Sequence, residues 1–590
     1  MRIPRKNLQE FVRGVTNQCL SSRENRTNRG QLFESYYSAG SSDPSNPAMF
    51  NKVFESIDDL ESLLYSPVSL RFHIGDADIP NVVNIAKNRA AAARVRQHCR
   101  QSDADSMISQ AVCSGLVKGL GIIKTLYKRG EFKPSLVMPE RFGVYRENHT
   151  KLDPDMEAFA ETMTITQHQF LRLIAGRPDE EELKKKAKKY VKDATGGLTD
   201  TRGSAMNIVV GGLHPLQAAG GGVSQTRGIV DWMSQPKPEL SPEVEHSLLE
   251  LDELWVWNDE QEDWTTFSTI GDDIFLMGRY SLHNALSFDP VLQMTAPHLK
   301  GVHPYNTFCP NPVPEYFWGV SEIARLIMLQ EAINSRITGI NKMLRKEEEP
   351  STKFVGSTGV NQLALSRFNK PAGYYVESNP QAKIERDTTT IPQDIWNSLH
   401  EYERIFDAVM GIPPTAKGHG EKGVRSANHA EALVRMFSPR FKDRALLTQR
   451  DVESYGSFLL DMCRAHDAKK MIAWVEKPMA GLEADEDLGK AFVPPAEGMA
   501  PVLFTFEDLP DDLTLTVDSH SSSPAFTQEH KGLVFDLVKI GAMSPADAVE
   551  ELDVTDPEAL QMGITRRDIA KAKAEQAKEQ AKSAAKGGKH

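Results

Sequence analysis

The sequence predicts a mixed α+β protein, mainly α-helical, organised around one long amphipathic helix. Three observations predict it. Residues 316–345, YFWGVSEIARLIMLQEAINSRITGINKMLR, repeat Ile323, Ile327, Ile333, Ile337, Ile340 and Leu344 at spacings of three, four or six. A second amphipathic helix starts at Pro392 and runs through Ile395, Leu399, Tyr402, Ile405, Phe406 and Val409. Two stretches, 122–137 and 254–269, set β-prone runs on either side of tight-turn residues, the pattern of a hairpin.

Composition sets the bounds. The chain has 590 residues, 40 % hydrophobic and 25 % charged, ordinary for a soluble protein and enough for several domains. A formal charge of -12 opposes a protein whose main task is a tight, unspecific grip on phosphate backbones. Cys19, Cys99, Cys113, Cys309 and Cys463 are far apart and form no CxxC pair. Neither a disulfide framework nor a structural zinc site is expected, and a reducing compartment fits. There is no run of 18 apolar residues, so no membrane span is expected. The basic start MRIPRKNLQE lacks the apolar segment of a secretory signal, which points to the cytoplasm.

Taken in order, residues 1–48 read as an N-terminal arm with a short helix and a linker rich in Gly, Ser and Pro. Phe50 to Leu70 and Ile85 to Leu120 read as helix. Ile122 to Lys128 and Phe132 to Val137 read as a hairpin, extended by Pro139 to Tyr145. Residues 156–194 read as helix again. Lys184, Lys185, Lys186, Lys188 and Lys189 follow a run of acids and read as a solvated helix face rather than a nucleic-acid patch. Leu254 to Trp257 and Trp264 to Thr269 form the clearest hairpin, and Ile274 to Met277 follows as a strand. Trp255, Trp257 and Trp264 read as cross-strand packing before base stacking. Asp272 and Asp273 are an adjacent acidic pair without a third partner, a weak metal signal.

The long helix itself follows a lead punctuated by Pro310, Pro312 and Pro314. Ser321 is placed to cap it and Glu322 suits its first turn. About 25 helical residues span roughly 37 Å. Pro350 stops it. An insert at 347–391 has strand candidates at Lys353 to Val355 and Gly373 to Glu377, and the second helix ends at Gly411-Ile412-Pro413-Pro414. The loop TAKGHGEKGVRS, 415–426, has three glycines and the cations Lys417, Lys422 and Arg425. Residues 428–470 read as long helix, with Pro439 kinking or breaking it. Residues 474–517 are strand-rich, 526–569 helical, and the end is a lysine- and alanine-rich tail.

AAGGGV at 218–223 and GHGEKG at 418–423 are not phosphate cradles, and no G-x-x-x-x-G-K-[ST] occurs. That opposes an ATP-driven motor. No catalytic constellation, cofactor site or metal site is expected.

The order of parts resembles the portal, or head-tail connector, proteins of tailed bacteriophages. The resemblance rests on HPYNTFCPNPVPEYFWGVSEIARLIMLQEAINSRI at 303–337, GYYVESNP at 373–380, GIPPTAKGHGEKGVRSANHAEALVRMFSPR at 411–440 and VKGLGIIKTLYKRG at 117–130. It spans roughly residues 30–560, in architecture and short motifs. It implies a portal-like ring subunit with wing, stem, clip and crown, in a homo-oligomer of usually twelve copies at one capsid vertex. The implied division is an arm at 1–48, a wing at 49–318, stem helices at 319–346 and 392–411 around a clip at 347–391, a channel loop at 412–427, a long helix and wing return at 428–523, and a crown with its tail at 524–590. The implied function is non-enzymatic: a conduit for packaging and ejecting double-stranded DNA, docking the terminase large subunit and the tail adaptor protein. Major capsid and scaffold proteins are further implied partners, with a membrane not among them. The implied location is the virion, after assembly in the host cytoplasm. Lys417, His419, Lys422 and Arg425 are the implied DNA contacts in the channel. The alternatives are a tail-tube or adaptor component, or a DNA-packaging enzyme.

Overall fold

The structure is a computed structural model. It describes residues 1–43, 47–65, 72–76, 82–175, 179–190, 248–277, 301–348, 351–355, 383–387, 392–411, 439–476, 499–517 and 534–540, apart from residues 5, 129–130, 188–189, 272–273 and 511–512. The protein is mixed helix and strand, as the sequence predicts.

Two helices, α1 (Leu8–Leu20) and α2 (Arg23–Ala39), stand where the sequence predicts an arm with a short helix. α1 buries Val12, Val15 and Cys19 against a sheet. α2 sends the Arg26 guanidinium over the Trp318 ring at 4.0 Å and donates from it to the Phe142 carbonyl at 2.8 Å. Next comes α3 (Lys52–Leu64). Asn51 caps it by accepting from the Phe54 N–H, and Val53, Ile57, Leu60 and Leu64 form its buried stripe. The helices α4 (Val82–Gln101) and α5 (Ala104–Lys118) complete the predicted helical span. α5 ends at Gly119, which takes a left-handed φ of 94°.

β1 (Phe72–Asp76) pairs antiparallel with β12 (Leu513–Val517), which ties the early chain to its far end. β2 (Gly121–Lys128), β3 (Glu131–Val137) and β9 (Tyr305–Phe308) form a three-stranded sheet with β2 central. The predicted hairpin is β2–β3. Its predicted extension is not part of that sheet: β4 (Phe142–Val144) pairs instead with β5 (Ala158–Thr166). β5 also corrects the helix expected from residue 156. Helix begins only at α6 (Gln167–Ile174) and continues in α7 (Glu180–Ala187). AFAETMTIT contains good helix formers, but its first five residues are all buried and it ladders with β6 (Leu248–Asn258). Tertiary pairing therefore overrides propensity. β6, β7 (Asp263–Ile270) and β8 (Ile274–Met277) finish a five-stranded antiparallel sheet in the order β4-β5-β6-β7-β8. Trp257 and Trp264 face each other across β6–β7 with rings 5.4 Å apart, so these tryptophans are packing residues, as predicted. Lys184 and Lys186 of α7 pair with Glu180, Glu181 and Glu182 on an exposed helix face. Lys188, Lys189, Asp272 and Asp273 lie outside the described residues.

The two larger sheets meet through a buried polar knot. Glu161 and Glu253 are directly opposite on β5–β6, a like-charge pair that would repel. Lys124 and Tyr305, themselves cross-strand partners on β2–β9, reach over from the other sheet. The Lys124 ammonium lies 2.8 Å from Glu161 and 3.3 Å from Glu253. The Tyr305 hydroxyl donates to Glu161 at 2.6 Å, and the Trp255 indole N–H donates to Glu253 at 2.8 Å. Burial alone pushes the Lys124 pKa down, but the two carboxylates more than reverse this and hold it raised. Phe142, Phe159, Trp264 and Phe317 pack around the knot.

Among the described residues no helix is long and apolar enough to cross a membrane.

Candidate functional site at the base of a helix pair

The long helix is α8 (Ile323–Glu348) and the second amphipathic helix is α9 (Gln393–Met410). Ser321 acts at the start of α8 as predicted, accepting from the Ile323 N–H at 3.1 Å. Its hydroxyl also donates to the Val117 carbonyl, which seats the helix on the end of α5. The approach is tight there. A Cβ on Gly319 would lie 2.3 Å from the Gly119 carbonyl oxygen. Trp318 is held by the Arg26 guanidinium and by Glu147, which accepts from its indole N–H at 3.1 Å.

α8 buries Ile323, Leu326, Ile333 and Ile340 in the main helical core. Two of its amide side chains, Gln330 and Asn334, anchor the chain around residues 40–52. Gln330 accepts from the Lys52 N–H and donates to the Phe50 carbonyl, while Asn334 donates to the Gly40 carbonyl. On the open side Ala324, Arg325, Met328, Ser335, Arg336, Lys342 and Arg345 are exposed. α9 begins after Pro392 and stops at Gly411, whose φ of 74° is left-handed, both where the sequence places them. It buries Leu399, Phe406 and Met410 in the same core.

The two helices pack against each other. Between them lie β10 (Ser351–Val355) and β11 (Lys383–Asp387), an antiparallel pair in which Ser351 faces Asp387. The first predicted insert strand thus exists; Gly373 to Glu377 lies outside the described residues.

At the opposite end a third helix, α10 (Pro439–His466), closes the base. Pro439 is its first described residue, and residues 428–438, on the other side of the expected break, lie outside the described residues. Arg444 of α10 is 4 % exposed. Its Nη2 lies 2.6 Å from the Glu322 carboxylate, Nε donates to the Asn311 side-chain oxygen at 3.0 Å, and Nη1 donates to the Met410 carbonyl at 3.3 Å. Glu322, fully buried, just precedes α8, and Met410 ends α9. One guanidinium therefore touches the beginning of one helix and the end of the other, which makes the pair antiparallel.

Lys417, His419, Lys422 and Arg425 belong to residues 412–438, which lie outside the described residues. The structure brings together instead the two residues that flank this segment, Met410 before it and Arg444 after it. Sequence reasoning missed Arg444 and Asn311. An arginine inside RFKDRALL has no local mark of burial, and only Glu322, noted as a first-turn acid, pointed at this corner. Among the described residues no group of three or more His, Cys, Asp or Glu side chains is placed to hold a metal ion. A scan against protein-family models finds no match to this chain, and a search of the curated proteins finds none either.

Proposed function

We propose that this chain is a portal-type ring subunit: a non-enzymatic conduit through which double-stranded DNA is packaged and ejected, docking a packaging motor and a tail adaptor at its insert. The observation that supports this most is the antiparallel pair α8–α9, with a small β insert between its helices and a closed base at the other end. In such a ring one face of the pair meets the next copy. The exposed charges suit a head-to-tail contact. α8 exposes Arg325, Arg336, Lys342 and Arg345 against Glu331, while α9 exposes Asp394 and Glu401 against Arg404. Opposite signs on two different faces of one chain favour a contact that repeats around a closed ring. The overall charge of -12 keeps the wall from gripping phosphates, and Lys417, His419, Lys422 and Arg425 would supply sparse, salt-screened contacts to the duplex.

Electron micrographs of the purified protein test the reading. Rings with a central hole are expected; a strictly monomeric protein across salt and concentration overturns it. Replacing Lys417, Lys422 and Arg425 together by alanine is expected to leave rings intact and to impair DNA packaging or retention. Unchanged packaging and retention would remove that loop from the mechanism.

A further inference from the structure

The geometry points to Arg444 as the positioning residue that locks the α8–α9 pair to α10, so that a displacement at the insert end of the pair is passed into α10 rather than absorbed at the base. The consequence for docking rests on the portal reading; the lock itself does not.

The last carbonyls of an α-helix lack intrahelical partners and carry partial negative charge, and the first turn carries partial positive charge. Because α8 and α9 are antiparallel, the end of α9 and the beginning of α8 share one corner. There the charges alternate: the Met410 carbonyl at the end of α9, the Arg444 guanidinium, the Glu322 carboxylate, then the first turn of α8. Each neighbour complements the next. With Glu322 fully buried and Arg444 4 % exposed, water and salt screen this row little.

The arrangement needs arginine. The guanidinium is a rigid planar fork, and here its Nε, Nη1 and Nη2 engage three separate segments. A lysine ammonium can keep the charge opposite Glu322 but cannot hold the Asn311 and Met410 oxygens in the same geometry. Glu322 is also fixed from behind, its N–H donating to the Leu116 carbonyl at 2.9 Å. The corner thus joins α5, α8, α9 and α10. α8 is about 39 Å long at its 26 residues, so a small rotation at this base is a large displacement at the insert.

Hydrogen–deuterium exchange on the full chain tests the lock. In Arg444→Met, amides at both 323–327 and 407–411 are expected to exchange roughly tenfold faster or more, as the ion pair to Glu322 and the hydrogen bond to the Met410 carbonyl are lost. Exchange across β5 should stay unchanged. Arg444→Lys is expected to restore protection at 323–327 and leave 407–411 open, and it is the test variant if Arg444→Met does not fold. Adding Glu322→Gln to Arg444→Met should change little further at 323–327, since both act through one contact. Unchanged exchange at 407–411, an equal rise across β5, or full additivity of the two substitutions overturns the lock. Absence of rings with these exchange results would sink the portal reading and leave the lock standing.

Discussion

Replacing Lys124 by methionine removes the cation from the knot between the two sheets and leaves Glu161 and Glu253 facing each other. The side chains of Lys124, Glu161 and Glu253 are 5 %, 9 % and 1 % exposed. After the substitution each carboxylate keeps one neutral donor of those described above, the Tyr305 hydroxyl for Glu161 and the Trp255 indole for Glu253. A neutral hydrogen bond contributes about 1 kcal/mol net, against several kcal/mol to bury each unpaired ion. The expected loss is about 3–5 kcal/mol. In the parent protein the raised Lys124 pKa contributes stability that is complete below 10.5 and lost only above it. Urea unfolding followed by tryptophan fluorescence reads this sheet in part, since Trp255, Trp257 and Trp264, three of the seven tryptophans, lie on β6 and β7. Replacing Lys124 by Met and both glutamates by Gln should recover at least half the loss. A deficit below about 1 kcal/mol at pH 7.5 would refute this account of the knot.

Two further substitutions probe the seats of α8 and α10. Gly319→Ala puts a Cβ 2.3 Å from the Gly119 carbonyl oxygen and 2.6 Å from Cys309 Sγ. Neither neighbour is a flexible side-chain end, so a loss of about 1–3 kcal/mol is expected, and a melting temperature equal to the parent's would show that the approach relaxes freely. Asp451 of α10 is half-buried, and desolvation pushes its carboxyl up to about 7, while the Cys309 N–H donates to it at 2.8 Å. Its charged form is thus disfavoured, so the stability it contributes falls as pH rises through about 7. Asp451→Asn keeps an acceptor without the charge and should gain on the parent between pH 4 and pH 7; a pH-independent difference would count against that carboxyl.

The sequence by itself determined the parts whose signal is periodic or positional. Ile323, Ile333 and Ile340 recur on one face, so α8 was legible, as were its Ser321 cap and the Gly411 end of α9. The β2–β3 hairpin and the packing role of Trp257 and Trp264 were legible for the same reason: turn chemistry and cross-strand spacing are local. Tertiary structure decided the rest. AFAETMTIT became β5 because β4 and β6 flank it, and no residue within it states that pairing. Lys124 carries no local mark of its partners, since its glutamates lie 37 and 129 residues away. Arg444 meets Asn311, Glu322 and Met410 only because three helices converge. Periodicity records which face of an element turns inward; it holds no information on which distant charge waits there, and that is settled by packing alone.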